Sequence, residues 1–291
     1  MEISMKDRLY LGIIGGSGLY DFPDLENIES HDINTPFGKP SSPVIIGSLN
    51  GKKVAFLARH GIGHVLSPSE VNYRANIFAL KTLGVSRILS VSACGSLRED
   101  YAPGEIIIPD QVYDHTHKRA RTFFEDGLVA HIGAPTPFCP RLSEKVFSAL
   151  EKVKAITHLG GSFITIEGPR FSTISESNLY RSWGMSIIGM TACPEVFLAR
   201  EAEMCYVTMA HVTDYDVWHS AEEPVSVEMV LKTLRNNTET AQKAIRKLLE
   251  EIDDNDTCEC QSSLKDAIMT QPDLIPERTK ARLEILIKKY I

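Results

Sequence analysis

The stretch LYLGIIGGSGL, residues 9–19, decides the reading of this chain. Leu9–Ile14 is a short apolar run of the kind that forms a buried strand, and it passes without a polar break into Gly15-Gly16-Ser17-Gly18. Glycines let backbone amides approach an anion with no side chain in the way, and Ser17 adds a hydroxyl. A tight strand-to-helix turn explains the same residues. The loop is neither GxGxxG nor a Walker A loop, because no third glycine and no Gly-Lys-Ser/Thr follow.

Outward from this strand, Val44–Ile46 and Val54–Ala58 flank Asn50-Gly51, a strong hairpin signal. Ser67-Pro68-Ser69-Glu70 has the form of a capping box and predicts a helix through Val71, Ala75, Phe78 and Ala79, ending near Gly84. Strands are expected at Arg87–Val91, Ile106–Ile108, Ser162–Ile166, Ser186–Gly189 and Cys205–His211. Helices are expected at Leu142–Val153, Ser175–Trp183, Glu195–Glu203 and Val227–Ile252, the last with Val227, Val230, Leu231, Leu234, Ala241, Ile245 and Leu248 on one face. Cys94-Gly95 reads as a turn and residues 112–140 as a long loop. The alternation implies an α/β fold: one domain over residues 1–252, with a mixed, largely parallel central β-sheet flanked by helices. Residues 253–291 read as a polar, Cys-containing linker and a basic amphipathic helix, Arg278–Ile291, packed on the body or on a neighbouring subunit.

With 31 Lys+Arg against 38 Asp+Glu and a net charge of −7, the chain lacks the basic field that nucleic-acid polymers require. No apolar run reaches the roughly 20 residues that span a bilayer, and no signal peptide is evident, so a cytoplasmic protein without membrane contact is expected. The six cysteines are scattered, apart from the Cys258/Cys260 pair, which reads as free thiols or a strained CxC link. There is no CxxC and no HExxH, and Asp114, His115 and His117 lack a further convincing ligand, so no metal is expected. Lys118, Arg119 and Arg121 make that segment read as a solvated loop.

Ligands of layered α/β folds bind at the carboxyl ends of strands. Ser17, Arg59, Ser92, Phe171, Met190 and Asp214 each follow a predicted strand. Arg59 offers a planar fork for phosphate; His60 beside it reads as structural or as a second phosphate contact. Ser92 and the Ala93 amide can complete an anion nest, unless this is a packing turn. Phe171, in Glu167-Gly168-Pro169-Arg170-Phe171, offers a face on which a base stacks, or a core side chain. Thr191 caps a helix or contacts an anion. Asp214 and Asp216 lie two residues apart, so in an extended stretch both point one way. Paired carboxylates can protonate a leaving nitrogen or accept from an amino group; a solvated loop or a cation site is the other reading.

Together GIIGGSGL, TPFGKPS (Thr35–Ser41), LARHG, VNYRANIFALK, ACGSLRED, TIEGPRFST, the Met190–Glu195 junction and TDYDVW resemble the trimeric purine nucleoside phosphorylase family, and within it the branch that acts on 5′-methylthioadenosine. The resemblance covers about residues 9–250. It implies a nucleoside phosphorylase fold, a homotrimer or dimer of trimers, no cofactor and phosphate as co-substrate. It implies that Ser17, Arg59, His60, Ser92, Ala93 and Thr191 hold phosphate. Met190 would contact the ribose, Phe171 and Ser172 would frame the base, Asp214 would act at N7 and Asp216 would read the 6-amino group. His131 matches a position near the 5′ substituent across a subunit interface. Ser17 and Ser92 stand where that branch carries Thr, and Ala192-Cys193 is unusual for it. A broad or 6-oxo purine nucleoside phosphorylase, and a nucleoside-binding protein without turnover, are the alternatives.

Overall fold

The computed structural model describes residues 9–16, 19, 22–219, 227–253 and 257–291, with backbone alone over 227–237. Its strands are β1 (Leu9–Gly15), β2 (Glu26–His31), β3 (Val44–Leu49), β4 (Lys52–Ala58), β5 (Arg87–Ser96), β6 (Ile106–Ile108), β7 (Gln111–His115), β8 (Thr157–Leu159), β9 (Ser162–Ile166), β10 (Ile187–Gly189) and β11 (Cys205–Asp214). Its helices are α1 (Tyr73–Thr82), α2 (Pro140–Lys152), α3 (Ile174–Ser182), α4 (Glu195–Glu201), α5 (Val227–Glu251) and α6 (Glu277–Ile287). The expected α/β class is correct: one mixed sheet with helices on its faces.

The sheet runs β2-β3-β4-β1-β5-β10-β9-β7, and it branches at β5, which also pairs with β11; β11 in turn pairs with β6, and β6 with β8. The Asn50-Gly51 hairpin forms between β3 and β4, with φ of 51° and 73° at the two turn residues, as a twisted two-residue turn requires. One apolar layer packs Leu11, Ile13, Leu89, Val207 and Met209 of the central strands against α2 and the Ala241, Ile245 and Leu248 face of α5. Val227, Val230, Leu231 and Leu234, expected on the same face, lie outside the described side chains. The opposite layer packs Ile14, Leu57, Ile88 and Tyr206 against α1, α4 and α6.

Several local expectations are corrected. Glu70 does accept from the Ser67 amide at 2.9 Å, but this closes a separate turn. The helix starts later, at Tyr73, where Asn72 caps it by accepting from the Ala75 amide at 3.2 Å. Cys94-Gly95 is no turn. β5 continues through it to Ser96, because β11 supports the strand along its whole length. The supposed loop after residue 112 begins with β7, which extends the sheet edge beside β9. The stretch read as a linker buries Leu264, Ala267 and Ile275 in the same layer as Leu283, Leu286 and Ile287 of α6, and Ile268 pairs with Ala130.

Candidate functional site

The site follows from how β5 is flanked. β1 pairs with it only from Ile88 to Ser90, and β10 joins from the other direction only at Gly95 and Ser96. Among the described residues, 91–94 therefore have β11 on one edge and no strand on the other. Backbone groups of alternate residues point to the same edge of a strand. The Val91 carbonyl faces the open edge, since it accepts from Arg59 Nη1 at 3.2 Å. The Ala93 amide must face it too. Ser92, between them, has a buried hydroxyl without a partner among the described residues.

Arg59 enters this gap from the end of β4, its amide held by Gly15 O at 3.0 Å. It is 2% exposed. Sequence reasoning expected its planar fork to be free for phosphate; the fork instead closes on Glu195, through Nε at 2.8 Å and Nη2 at 2.9 Å. Nη2 also donates to Ser90 Oγ at 2.7 Å. Of the five guanidinium N–H groups, one on Nη1 has no partner among the described residues and is available to an anion beside the Ala93 amide. Burial alone would lower the Arg59 pKa, but the Glu195 carboxylate raises it, so the cation is permanent. Glu195, fully buried, also accepts from Tyr206 OH at 2.8 Å. Sequence reasoning gave Glu195 no role; its signal was a carboxylate directly after a strand-to-helix junction, facing no solvent.

His60 follows Arg59. Burial and the Arg59 charge push it down to about 4, so the ring is neutral near pH 7. Nδ1 therefore donates to Leu66 O at 2.9 Å, which leaves Nε2 as an acceptor. Thr191 is buried at the start of the turn that leads into α4. Gly16 is exposed with open space around it, while Ser17 lies outside the described residues.

The second half of the site lies at the ends of β9, β10 and β11. Asp214 and Asp216 are both buried, and an irregularity in the β11 register between Val212 and Asp214 turns the chain there. Asp214 Oδ1 accepts from the Asp216 amide at 2.8 Å and Oδ2 from Thr213 Oγ1 at 2.6 Å. Both Asp216 carboxylate oxygens lie 3.0 Å from Ser172 Oγ. Burial raises the Asp216 pKa, against the Ser172 hydrogen bond. Phe171 is 41% exposed beside them, so it is no core side chain. The sequence brought Ser172, Asp214 and Asp216 to one place, as expected.

Met190 leans on Gly168, where a Cβ would stand 2.6 Å from its sulfur. Its backbone is fixed by Arg119, whose Nη1 donates to Met190 O and Cys193 O, each at 2.6 Å, and whose Nη2 donates to Glu167 O at 2.9 Å. Arg119 thus is not the solvated loop residue expected but a buried brace. Its surroundings come from distant segments, so no local pattern marks it. Asp114, weighed as a metal ligand, is bound by the Thr116 amide at 2.9 Å and by Arg121 at 3.1 Å. His131 is exposed, and its amide donates to Ala267 O at 2.8 Å.

The arrangement sets Arg59 and the open edge of β5 at one end and a buried carboxylate pair packed against Gly95 at the other. The comparisons fit it. A protein named S-methyl-5′-thioadenosine phosphorylase from Koribacter versatilis is 50% identical over 96% of both chains. One of the same name from Chloroflexus aurantiacus is 52% identical over 96% of this chain and 98% of its own. The crystal structure of a methylthioadenosine phosphorylase from an antarctic soil metagenomic library superposes with a TM-score of 0.92, at 44% identity, covering 97% of this chain and 99% of that one. A mutant adenosine/methylthioadenosine phosphorylase from Schistosoma mansoni, in complex with methylthioadenosine, superposes with a TM-score of 0.84 at 36% identity, covering 92% of this chain and 100% of its own. With the family signature matched over residues 10–250, the chain belongs to the Phosphorylase superfamily.

Proposed function

We propose that the protein cleaves 5′-methylthioadenosine with phosphate, giving adenine and 5-methylthioribose 1-phosphate. The observation that carries this reading is the buried Asp214/Asp216 pair, packed against Gly95 where the open stretch of β5 ends. Phosphate sits against the Ala93 amide, the remaining Arg59 N–H and the hydroxyls of Ser92, Thr191 and Ser17. His60 Nε2 accepts the proton of the monoprotonated form. Cleavage builds positive charge at C1′, so the bound anion both stabilises that charge and attacks. The departing purine is a poor leaving group as an anion. Asp214 supplies a proton at N7, and Asp216, oriented by Ser172, accepts from the 6-amino group. Phe171 stacks on the base, and the Met190 backbone fixes the ribose. His131, exposed in the single chain, serves the 5′ group of a neighbouring subunit's substrate in a homotrimer or dimer of trimers. The relatives' names and the order of these motifs support the reading, which needs no cofactor.

The test is a panel of methylthioadenosine, adenosine, inosine and guanosine, each with and without phosphate. Phosphate-dependent release of adenine with a sugar 1-phosphate is expected. Adenine release without phosphate overturns the reading in favour of a hydrolase, and no turnover of any nucleoside favours a binding protein. Asp214→Asn replaces the acid at N7 with an amide, whose N–H can also donate to the neighbouring 6-oxo oxygen but finds no acceptor on a 6-amino group. The preference for inosine over adenosine rises by about tenfold or more.

A further inference from the structure

Four of the six cysteines, far apart in sequence, meet in space. Cys139 caps the start of α2, and Cys205 opens β11. Cys258 and Cys260 come from a single 3-10 turn, Glu259–Ser262, and the residue that precedes it. All four Sγ atoms lie within 4.8 Å of one another, and Cys139 Sγ is 3.5 Å from Cys258 Sγ. From this convergence we infer a structural metal site of tetrahedral thiolate type, suited to zinc, that none of the catalytic chemistry uses.

A zinc–thiolate bond of about 2.3 Å in a tetrahedron puts the sulfurs about 3.8 Å apart. Two disulfides would join the sulfurs in pairs, with no need for all the separations to be short. A central ion needs every one of them short. Cys139, Cys205 and Cys260 are buried, and Cys258 is half-buried on a small cleft through which an ion can enter. Arg87, Arg141 and Lys145 line that cleft. Four thiolates around a divalent cation carry a net charge of −2, and these three cations offset it. Binding releases the four thiol protons to solvent, with no change of oxidation state. The ion ties the segment that carries α6 to the start of α2 and to the first residue of the central strand β11. The CxC pair, read from sequence as free thiols or a strained link, thereby becomes half of a chelate.

The full-length protein is produced in zinc-supplemented medium and purified anaerobically with a chelator-free reductant. Metal is quantified by elemental mass spectrometry, and thiols are titrated after denaturation with chelator. About one zinc per chain is expected, lost in Cys258→Ser and in Cys260→Ser but kept in Cys94→Ala. Cobalt exchanged into the wild type gives a thiolate-to-metal charge-transfer band together with tetrahedral d–d absorption. Wild-type protein that retains no zinc overturns the inference, as do disulfides among these four cysteines in the anaerobic preparation. Zinc retained equally by both serine variants overturns it as well, because the ion then sits elsewhere. The serine changes are near-isosteric and fall on a short turn, at half-buried Cys258 and buried Cys260, so a folded variant that loses zinc is the informative result, and the cobalt spectrum of the wild type decides where folding fails.

Discussion

Glu195 holds Arg59 by two hydrogen bonds, Nε at 2.8 Å and Nη2 at 2.9 Å, with both side chains shut away from water. For the proposed phosphate site, the pair shows how an acidic chain can present a cation to an anion. Glu195 cancels the charge of Arg59 and fixes its plane, so that one Nη1–H and the neighbouring amide of Ala93 face the gap in β5. A phosphate bound there, as proposed, would be selected by the direction of these N–H groups rather than by bulk positive potential.

Glu195→Gln removes the countercharge but nearly preserves shape. An unpaired buried cation costs about 3–5 kcal/mol. Urea unfolding is expected to show a loss of that size, and the KM for phosphate is expected to rise more than the KM for nucleoside. Equal changes in both would mean that Arg59 does not face the phosphate.

Gly95 is the other narrow point. A Cβ there would stand 3.0 Å from Asp214 Oδ1, 3.1 Å from Ile188 and 3.2 Å from the Cβ of Asp216. Gly95→Ala therefore pushes both carboxylates away from the base while it leaves their chemistry intact. Since misplacement of about 1 Å costs on the order of a hundredfold, kcat/KM is expected to fall between about tenfold and a hundredfold. Circular dichroism and the melting curve check that the fold survives; an unchanged kcat/KM would show that the site tolerates the added methyl.

The sequence reveals what depends on neighbours along the chain. Asn50-Gly51 marks its hairpin because only certain residues reach positive φ cheaply, and Leu9–Ile14 marks its strand because it is buried throughout. Asp214 and Asp216 announce themselves by spacing. What stays hidden depends on partners far away. β7 and β8 are short strands completed by the sheet edge. Arg119 looks solvated beside Lys118 and Arg121, yet it braces carbonyls at Glu167, Met190 and Cys193. The helix start slips from Ser67 to Tyr73 because Glu70 and Asn72 each offer a cap, and the packing of α1 selects the second. Cys139 and Cys258 are separated by more than a hundred residues, and no local pattern unites them.

Ser172 donates to the Asp216 carboxylate and so favours its ionised form against burial. Ser172→Ala removes that support, and the Asp216 pKa rises further. An ionised Asp216 is required to accept from the 6-amino group, so the acid limb of the kcat/KM profile for methylthioadenosine moves to higher pH. Inosine, which lacks that amino group, serves as the control and shows no such shift. A common shift for both substrates would place the titrating group elsewhere.

Glu201 gives a prediction about stability rather than catalysis. Burial pushes its carboxyl up to about 7 from 4.5, against hydrogen bonds from the Phe123 amide at 2.8 Å and Thr122 Oγ1 at 2.7 Å. Its place in the last turn of α4 adds to this, because a helix C-terminus disfavours negative charge. A raised acid pKa means that the folded state holds the proton more tightly. The contribution is complete below pH 4.5 and is lost as pH climbs through 7, by an amount on the order of 3 kcal/mol. Glu201→Gln has no proton to lose. Urea unfolding of both proteins between those pH values should show the wild type losing stability relative to the variant as pH rises. A constant difference would mean that water reaches the carboxylate. A difference that falls as pH rises would mean that the protonated acid keeps α4 docked without a buried charge.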